Sequence, residues 1–316
     1  MRLLISRQLP DAVMAEAAAE FELTARDVDG PMTAQDCIAA LAEYDVIVPT
    51  LGDGFSAEVF DAIPAPRCKL PANFGAGYNH INIDAARKAG LSVTNTPGAV
   101  TDSTADIAMT LMLMSARRAA EGERMVRAGK WAGWTPTQML GLHVTGKTVA
   151  IIGMGRIGQA IAQRCHFGFG MRVIFHNRSP KTVDFPVTQM SLPDALGQAD
   201  VVIVAVASGV ETHHLIGRAE LAAMQPHAHF INISRGDVVD EAALIVALQN
   251  QQIAGAGLDV YEFEPKVPRE LIALETVTLL PHLGTAALEA REAMGRMALS
   301  NALALKNGEP LPNLVW

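Results

Sequence analysis

The chain has 316 residues, of which 50% are hydrophobic and 18% are charged, and its formal net charge at pH 7 is −8. This composition is sufficient for a sizeable core and excludes a disordered chain, while the length favours two domains. The acidic balance excludes a partner bound through its phosphate backbone, so we expect no nucleic-acid binding. The three cysteines are far apart and form no Cys-x-x-Cys pair, which favours a reducing compartment over a disulfide framework or a zinc site.

The N-terminal segment, residues 1–7, is too short and too interrupted by charge for a signal peptide. No apolar run in the sequence approaches the length of a membrane span. We therefore expect a soluble cytoplasmic protein that does not bind a membrane.

The first part of the chain, residues 1–98, alternates between predicted strands and helices, which is typical of a mostly parallel sheet covered by helices. Strands are expected at 3–6, 21–25, 46–49, 68–72 and 91–95, and helices at 10–20, 33–43, 56–62 and 83–89. Thr33 and Asp36 fit a capping box at the start of the second helix.

A glycine-rich loop, residues 73–80, follows the fourth of these strands. Open α/β sheets bind ligands beyond the carboxyl ends of their strands, and such a loop exposes backbone N–H groups that suit a carboxylate. A plain turn explains the same residues equally well.

A long, mostly apolar helix is predicted at 103–128, opened by Ser103 with Asp106 as a capping box. A helix that is apolar nearly all round is buried, either in a domain core or against another subunit. The loop-like segment that follows contains Trp131 and Trp134, and tryptophan in a loop is typical of an interface or a pocket wall.

A second alternating unit begins near residue 147 and is predicted to be a six-stranded Rossmann unit. Its strands are expected at 148–152, 172–175, 201–206, 229–233, 255–260 and 277–280. Ser191 and Asp240 are suitable helix N-caps. A last helix is expected at 286–306.

The second unit opens with a Gly-x-Gly-x-x-Gly turn between its first strand and first helix. Gly153 allows the tight turn, Gly155 lets the backbone approach a pyrophosphate, and Gly158 lets the helix pack on the strand. The helix N-terminus at Arg156 and Ile157 then offers N–H groups to the phosphates. The motif alone is weakly specific, but its strand–turn–helix context predicts dinucleotide binding over an ordinary glycine-rich turn.

Three polar stretches follow strands of the second unit, at 232–236, 258–265 and 280–284, and they contribute an arginine, glutamates and a histidine. They are expected at the sheet edge where the dinucleotide lies. Reduction of a 2-keto acid requires a cation for the carboxylate and carbonyl, a proton donor for the alkoxide, and a partner that keeps this donor protonated. Arginine, histidine and glutamate meet these three requirements, because a nearby carboxylate raises the pKa of a histidine.

The chain resembles the D-isomer-specific 2-hydroxyacid dehydrogenase family, within it the glyoxylate/hydroxypyruvate reductases, essentially from end to end. The motifs that carry the resemblance lie at 153–158, 234–236, 259–265 and 281–284. Together they are highly specific, whereas each alone is not.

The resemblance implies that Arg235 binds and polarises the substrate, that His282 is the acid/base, and that Glu264 is the partner of this histidine. Glu262 is nearby, but Glu264 precedes a proline as the glutamate of the family does.

Further site residues are implied by the same resemblance. The backbone N–H groups of Ala76 and Gly77 match positions that hold the substrate carboxylate. Thr104, Ala207 and Asp259 match cofactor contacts, with Asp259 near the nicotinamide amide.

The resemblance also implies the architecture and the assembly. Two Rossmann-like, doubly wound domains are expected: a flavodoxin-like substrate domain, residues 1–98 and 285–316, and a dinucleotide-binding domain, residues 99–284. Trp134 matches a tryptophan that reaches the active site of a neighbouring subunit and so contributes to substrate binding. A homodimer is expected.

The end of the second Rossmann strand departs from the NAD pattern. An acidic residue that binds the ribose 2′-hydroxyl is expected there, but the sequence has Asn177, Arg178 and Ser179. Asn177 does not repel a 2′-phosphate, Arg178 can pair with it and Ser179 can donate to it. We therefore predict NADP(H) over NAD(H), the alternative being a solvated arginine and an enzyme that accepts both.

Two histidine pairs, at 213–214 and at 227 and 229, have no cysteine or acidic residue at metal-ligand spacing, so no metal is expected.

Two kinds of alternative stay open for the whole protein. One is a dinucleotide-sensing binding protein, similar to the corepressors that resemble this family, although no basic segment or extra binding tail is present. The other is a dehydrogenase of the same fold with another substrate. Because this sequence ends at Trp316, we do not expect the additional regulatory domain of many phosphoglycerate dehydrogenases. Glu264 argues against formate dehydrogenase, which resembles the family but has a glutamine in place of this glutamate; a phosphite dehydrogenase remains.

Overall fold

The computed structural model describes residues 1–316. Its strands, in chain order, are β1 (Arg2–Ile5), β2 (Glu22–Ala25), β3 (Val46–Val48), β4 (Leu70–Pro71), β5 (Thr148–Ile152), β6 (Arg172–His176), β7 (Thr188–Gln189), β8 (Val201–Val204), β9 (His229–Asn232), β10 (Gly255–Leu258) and β11 (Val277–Leu279). Its α-helices are α1 (Asp11–Glu20), α2 (Ala34–Glu43), α3 (Ala57–Asp61), α4 (Ile83–Lys88), α5 (Thr101–Ala116), α6 (Ala119–Arg127), α7 (Arg156–Gln163), α8 (Leu192–Gln198), α9 (Arg218–Ala223), α10 (Glu241–Gln249), α11 (Arg269–Ile272) and α12 (Leu288–Asn307). None of these helices combines the length and the apolar character that crossing a membrane requires.

The chain divides into two compact units, Met1–Val100 with Thr285–Trp316, and Thr101–Gly284. Each is built on a parallel sheet with helices, which confirms the predicted α/β fold class. The assignment of the first unit to the substrate and of the second to the cofactor remains a prediction.

The first unit has a four-stranded sheet in the order β2-β1-β3-β4. Apolar residues of β1 and β3 form a core together with the C-terminal helix α12. The helix packs closely on α1, since a Cβ atom at Gly295 would lie 2.6 Å from Val13. The capping box of Thr33 and Asp36 is confirmed at the start of α2.

The strand predicted at 91–95 is wrong. Only Thr94 makes bridges, a parallel one to Ala72 and an antiparallel one to Leu314. The neighbouring strand β4 has only two residues, and the N–H groups of Ser92 and Thr94 donate to the carbonyls of Lys69 and Pro71, at 3.0 Å and 3.2 Å, without forming a regular strand.

The second unit has a parallel sheet in the order β11-β10-β9-β8-β5-β6-β7. The six predicted strands are present with ends shifted by at most two residues. The sheet has a seventh strand, β7, so the predicted number of six strands is wrong. β7 consists of two exposed residues without an apolar pattern, which left no sequence signal. The chain leaves β5 for β6 on one side and later returns to β8 on the other, and such a switch point is where open α/β sheets bind ligands.

The single helix predicted at 103–128 is also wrong, because the chain forms α5 and α6 with a left-handed residue, Arg118 (φ 52°), between them. The carbonyl of Ala116 accepts a hydrogen bond from the N–H of Leu142 at 2.7 Å, and this contact occupies an acceptor that a continuing helix would use. α5 has eight buried residues, as expected, but α6 has none. The capping box at Ser103 is wrong too, since α5 already begins at Thr101.

A buried histidine makes the stability of the second unit depend on pH. His229, at the start of β9, is 6% exposed, and its Nδ1 lies 2.8 Å from Oγ of Ser115. Burial, assisted by the charge of His227, lowers the pKa of His229 from 6.5 to about 4. The unfolded chain therefore binds a proton that the folded protein excludes, and stability present above pH 6.5 is lost as the pH falls towards 4.

We expect His229→Gln to remove this loss. Between pH 7.5 and pH 5.0 the free energy of unfolding of the wild type should fall by about 2 kcal/mol more than that of the variant. Urea denaturation at the two pH values measures this difference. Equal falls in both proteins would contradict the role of His229.

Candidate active site

The glycine turn after β5 has the geometry that its sequence predicts. Gly153 has φ 102°, and a Cβ atom there would lie 2.8 Å from the carbonyl carbon of Ala205. A Cβ atom at Gly158 would lie 2.0 Å from the carbonyl oxygen of Gly153, so only glycine permits this packing of α7 on the strand. A Cβ atom at Gly155 would meet no protein atom within 4 Å. The turn thus presents bare backbone at the switch point of the sheet.

The start of α7 supplies hydrogen-bond donors beside this bare backbone. Gly155 is the N-cap, and the N–H groups of Arg156 and Ile157 in the first turn have no acceptor within the helix. Together with the helix dipole these groups suit phosphates. A dinucleotide therefore fits this turn.

The residues after β6 lie next to the glycine turn. Asn177 accepts a hydrogen bond from the N–H of Met154 at 3.1 Å and donates one to the carbonyl of Ser179 at 2.8 Å. Arg178 is exposed and forms an ion pair with Glu211, which lies in the short helical turn after β8. Nothing in the sequence indicates that these two loops meet, so Glu211 is not predictable as the partner of Arg178.

Arg235 lies directly after β9. Its backbone carbonyl accepts a hydrogen bond from the amide of Asn232 at 3.0 Å, and Oγ of Ser234 donates to the carbonyl of Val206 at 2.8 Å. A Cβ atom at Gly236 would lie 1.8 Å from the carbonyl carbon of Tyr261. The loops after β9 and β10 are therefore in backbone contact, which brings Arg235 near the glutamates after β10.

The guanidinium of Arg235 is mostly withdrawn from solvent. Burial lowers its pKa below the usual range of an arginine, against the opposing charges of Glu264, Asp237 and Asp259. Nη1 donates to the carbonyl of Ser234 at 2.7 Å, whereas the buried Nε has no partner in the protein. An arginine remains charged after such a shift, so this site presents a cation with unused donors.

Glu264 and His282 form the predicted pair. Oε2 of Glu264 lies 2.8 Å from Nδ1 of His282, and Oε1 accepts a hydrogen bond from the N–H of Tyr261 at 3.0 Å. Burial alone would raise the pKa of Glu264, but the hydrogen bond and charge of His282, the N–H of Tyr261 and the charge of Arg235 outweigh it, and the pKa lies below 4.5. The carboxylate is thus ionised at neutral pH and orients the imidazole, whose Nε2 makes no hydrogen bond in the protein.

The turn that carries His282 is held in a left-handed backbone conformation, with φ 55° at this residue. Asp259 fixes the turn: its carbonyl accepts from the N–H of His282 at 2.9 Å, and its carboxylate from Leu283 at 2.6 Å and Gly284 at 2.8 Å. Oγ1 of Thr104 donates to the carbonyl of Gly284 at 3.1 Å. A conformation that costs about 1–3 kcal/mol persists where surrounding contacts determine it in this way.

Thr104 and Asp259 therefore have a structural role that their positions in the sequence do not indicate. Both were predicted as cofactor contacts, and that role remains a prediction. A positive φ at a histidine has no sequence signature, so the hydrogen bonds that Asp259 and Thr104 make to the turn of His282 could not be predicted from the motif.

The remaining predicted residues are not part of this cluster. Ala207 lies in the exposed loop after β8, where its carbonyl accepts a hydrogen bond from Thr212 at 2.8 Å. Trp134 is 78% exposed in the single chain. Ala76 and Gly77 belong to the other unit and follow β4, in the loop that the sequence predicts for carboxylate binding.

One histidine of each of the two pairs, His214 and His227, has an acidic partner that is distant in sequence. Nε2 of His214 lies 2.7 Å from Glu262, and Nε2 of His227 lies 2.8 Å from Asp200. Each is a single pair, and no group of three or more His, Cys, Asp or Glu residues is arranged to hold a metal ion.

Comparison with known proteins gives the family. The family model of the D-isomer specific 2-hydroxyacid dehydrogenase NAD binding domain matches residues 109–284. A glyoxylate reductase from Thermococcus onnurineus is 40% identical over 321 residues, which cover 99% of this chain and 95% of the relative.

Solved structures agree with this result. A glyoxylate reductase from Paecilomyes thermophila has a TM-score of 0.86 at 33% identity, covering 100% of this chain and 98% of the other. The NADPH-dependent glyoxylate/hydroxypyruvate reductase from Sinorhizobium meliloti, in complex with NADP and malonate, has a TM-score of 0.88 at 33% identity, covering 99% and 96%. The resemblance that the motifs carry is thus confirmed, and the chain belongs to the D-isomer specific 2-hydroxyacid dehydrogenase family.

Proposed function

We propose that the protein is an NADPH-dependent reductase of small 2-keto acids, with glyoxylate and hydroxypyruvate as its first substrates. The observation that carries this proposal is the Glu264–His282 pair beside the partly unpaired cation of Arg235, on a sheet with a dinucleotide-type glycine turn. A proton donor, a charge that stabilises its protonated form and a cation for the keto acid are the groups that this reduction requires. The names of the relatives support the choice of substrates.

The residues act as follows in this proposal. Arg235 binds the carboxylate and polarises the keto oxygen, and Nε2 of His282 gives its proton to that oxygen as the alkoxide forms. Glu264 holds Nδ1 of His282 and stabilises the positive charge of the imidazolium. The bound nicotinamide supplies the hydride. The N–H groups of Ala76 and Gly77 bind the substrate carboxylate.

We propose further that the cofactor is held by the glycine turn and its flanking loops. The first turn of α7 binds the pyrophosphate, and Arg178 with Ser179 binds the 2′-phosphate. Thr104, Ala207 and Asp259 are the remaining proposed contacts of the cofactor. These assignments rest on the exposed, bare backbone of Gly155 and on the cation after β6.

The preference for NADPH is tested by measuring the oxidation of NADPH and NADH side by side with glyoxylate. We expect a strong preference for NADPH in the wild type. Arg178→Ala should lower kcat/KM for NADPH about 10- to 100-fold, since a charge-assisted hydrogen bond contributes about 1.5–3 kcal/mol, and should leave NADH unaffected.

Arg172→Ala is the matched control, because Arg172 is an exposed arginine at the other end of the same strand. A preference for NADH would leave the proposed reductase activity intact and overturn the proposed preference for NADPH. Absence of turnover with either cofactor, extended to a panel of larger 2-keto acids, would overturn the reductase and favour a dinucleotide-sensing protein.

The role of Glu264 gives a pH prediction. Because its pKa lies below 4.5, the carboxylate is charged over the whole range in which an imidazole titrates. Glu264→Gln removes the charge that stabilises the protonated imidazole of His282, so reduction should decline at a lower pH than in the wild type. A pH profile of kcat/KM checks this, and an unshifted alkaline limb would contradict the role of Glu264.

We also propose a homodimer in which Trp134 contributes to the substrate site of the neighbouring subunit. Support comes from α6, which has no buried residue, and from the exposure of Trp131 and Trp134 at 55% and 78% in the single chain. Exposed aromatic side chains of this size are typical of an interface.

A further inference from the structure

The loop after β4 has an unusual pattern of carbonyl contacts. Three consecutive carbonyl groups, those of Gly75, Ala76 and Gly77, accept hydrogen bonds from asparagine side chains. Nδ2 of Asn73 donates to the first at 2.9 Å and to the third at 3.0 Å. Nδ2 of Asn95 donates to the middle one at 2.8 Å.

These contacts fix the direction of the N–H groups in the loop. A peptide group is planar and trans, so its N–H points away from its carbonyl. The carbonyl of Gly75 therefore sets the direction of the N–H of Ala76, and the carbonyl of Ala76 sets that of Gly77. Neither of these two N–H groups donates to an acceptor in the protein.

The two asparagines are themselves held firmly. Asn73 is fully buried, and its N–H donates to the carbonyl of Thr94 at 2.9 Å. The N–H of Asn95 donates to the carbonyl of Asn313 at 3.3 Å. The C-terminal segment thus pairs with the residues next to Asn95. The contacts of Asn73 and Asn95 with the three loop carbonyls, which we call the clamp, therefore do not depend on a single flexible side chain.

We propose that Asn73 and Asn95 are positioning residues that aim the N–H groups of Ala76 and Gly77 at the carboxylate of the substrate. This inference rests on the proposed function and deepens it. Two N–H groups fixed in advance bind a carboxylate without the cost of ordering the loop. The clamp then determines the affinity for the substrate carboxylate, while the proton transfer by His282 is independent of it.

The test is Asn95→Ala, which removes one donor from the clamp. We expect KM for glyoxylate to rise about 10-fold, with kcat changed less than about 3-fold, because one hydrogen bond to the loop is lost. Titration calorimetry with oxalate, at saturating NADP, should show a similar rise in Kd. The Kd of NADPH, followed by its fluorescence, should not change.

A matched control separates positioning from stability. Thr33→Ala removes the N-cap of α2 in the same unit and costs about 1 kcal/mol of stability without touching the loop. Its melting temperature should fall, but its KM and its oxalate Kd should equal those of the wild type. Asn73→Ala removes two donors, and its KM should rise more than that of Asn95→Ala.

The outcomes are distinguishable from those for the function itself. If the wild type reduces glyoxylate and Asn95→Ala leaves KM and the oxalate Kd unchanged, the positioning role is overturned and the function stands. If the wild type does not reduce glyoxylate, the proposed function falls, and the oxalate titration alone decides on the clamp. An oxalate Kd that is equal in the wild type and Asn95→Ala, or no oxalate binding at all, overturns the clamp.

Discussion

His282→Asn is expected to lower kcat for glyoxylate reduction by about 10²- to 10⁴-fold, the usual contribution of a general acid. Asparagine tolerates the left-handed backbone of this position (φ 55°), so the turn keeps its conformation, but its amide is far too weakly acidic to transfer a proton. The glycine turn is untouched, so the Kd of NADPH should stay within about threefold of the wild type.

His214→Asn is the matched control for this variant. His214 also has a left-handed backbone (φ 48°) and also pairs with a glutamate, Glu262, at 2.7 Å. Its replacement should leave kcat unchanged. Steady-state kinetics and a thermal melt of both variants give the comparison, and wild-type activity of His282→Asn would refute the assignment of the acid.

Arg235→Lys should lower kcat/KM for glyoxylate by about 10²- to 10³-fold, the loss found when one donor to a developing oxyanion is removed. Lysine keeps the charge but lacks the planar fork, which binds a carboxylate through two parallel hydrogen bonds. In the structure the buried Nε has no partner in the protein, so this donor is available for a ligand.

The measurement is kcat/KM for glyoxylate together with the Kd of oxalate. Arg235→Ala extends the series. Added methylguanidinium should restore part of the activity of this variant, because it supplies the missing guanidinium group without the rest of the arginine side chain. The same addition should have no effect on His282→Asn. A kcat/KM for Arg235→Lys within threefold of the wild type would exclude the proposed contact with the keto acid.

Local sequence patterns predict much of this fold. The strands around the glycine turn are continuous apolar runs, and the turn requires glycine for local reasons: Gly153 has φ 102°, and a Cβ atom at Gly158 would meet the carbonyl oxygen of Gly153. The short strand β7 and the break after α5 depend instead on distant contacts, such as the bond between Leu142 and Ala116. Propensity cannot report a contact between residues that are far apart in the chain.

The candidate site divides in the same way. Arg235, Glu264 and His282 each follow a strand, and parallel strands end at one edge, so their convergence follows from the order of the elements. The Arg178–Glu211 ion pair and the hydrogen bonds of Asp259 to the turn of His282 follow from loop conformations that no periodic pattern encodes. A resemblance identifies the residues of a site, whereas their supporting contacts have to be read from the structure.

The backbone contact between Gly236 and Tyr261 has a consequence for how this enzyme can evolve. Because a single methyl group at position 236 would overlap the peptide of Tyr261, every substitution there displaces the loops of Arg235 and Glu264 together. Single substitutions at position 236 are therefore selected against as long as the loops of Arg235 and Glu264 have to keep their positions. A descendant enzyme that uses a new keto acid has to change residues outside the contact between Gly236 and Tyr261. Arg235 and Glu264 are therefore inherited together, while the residues that select the substrate diverge.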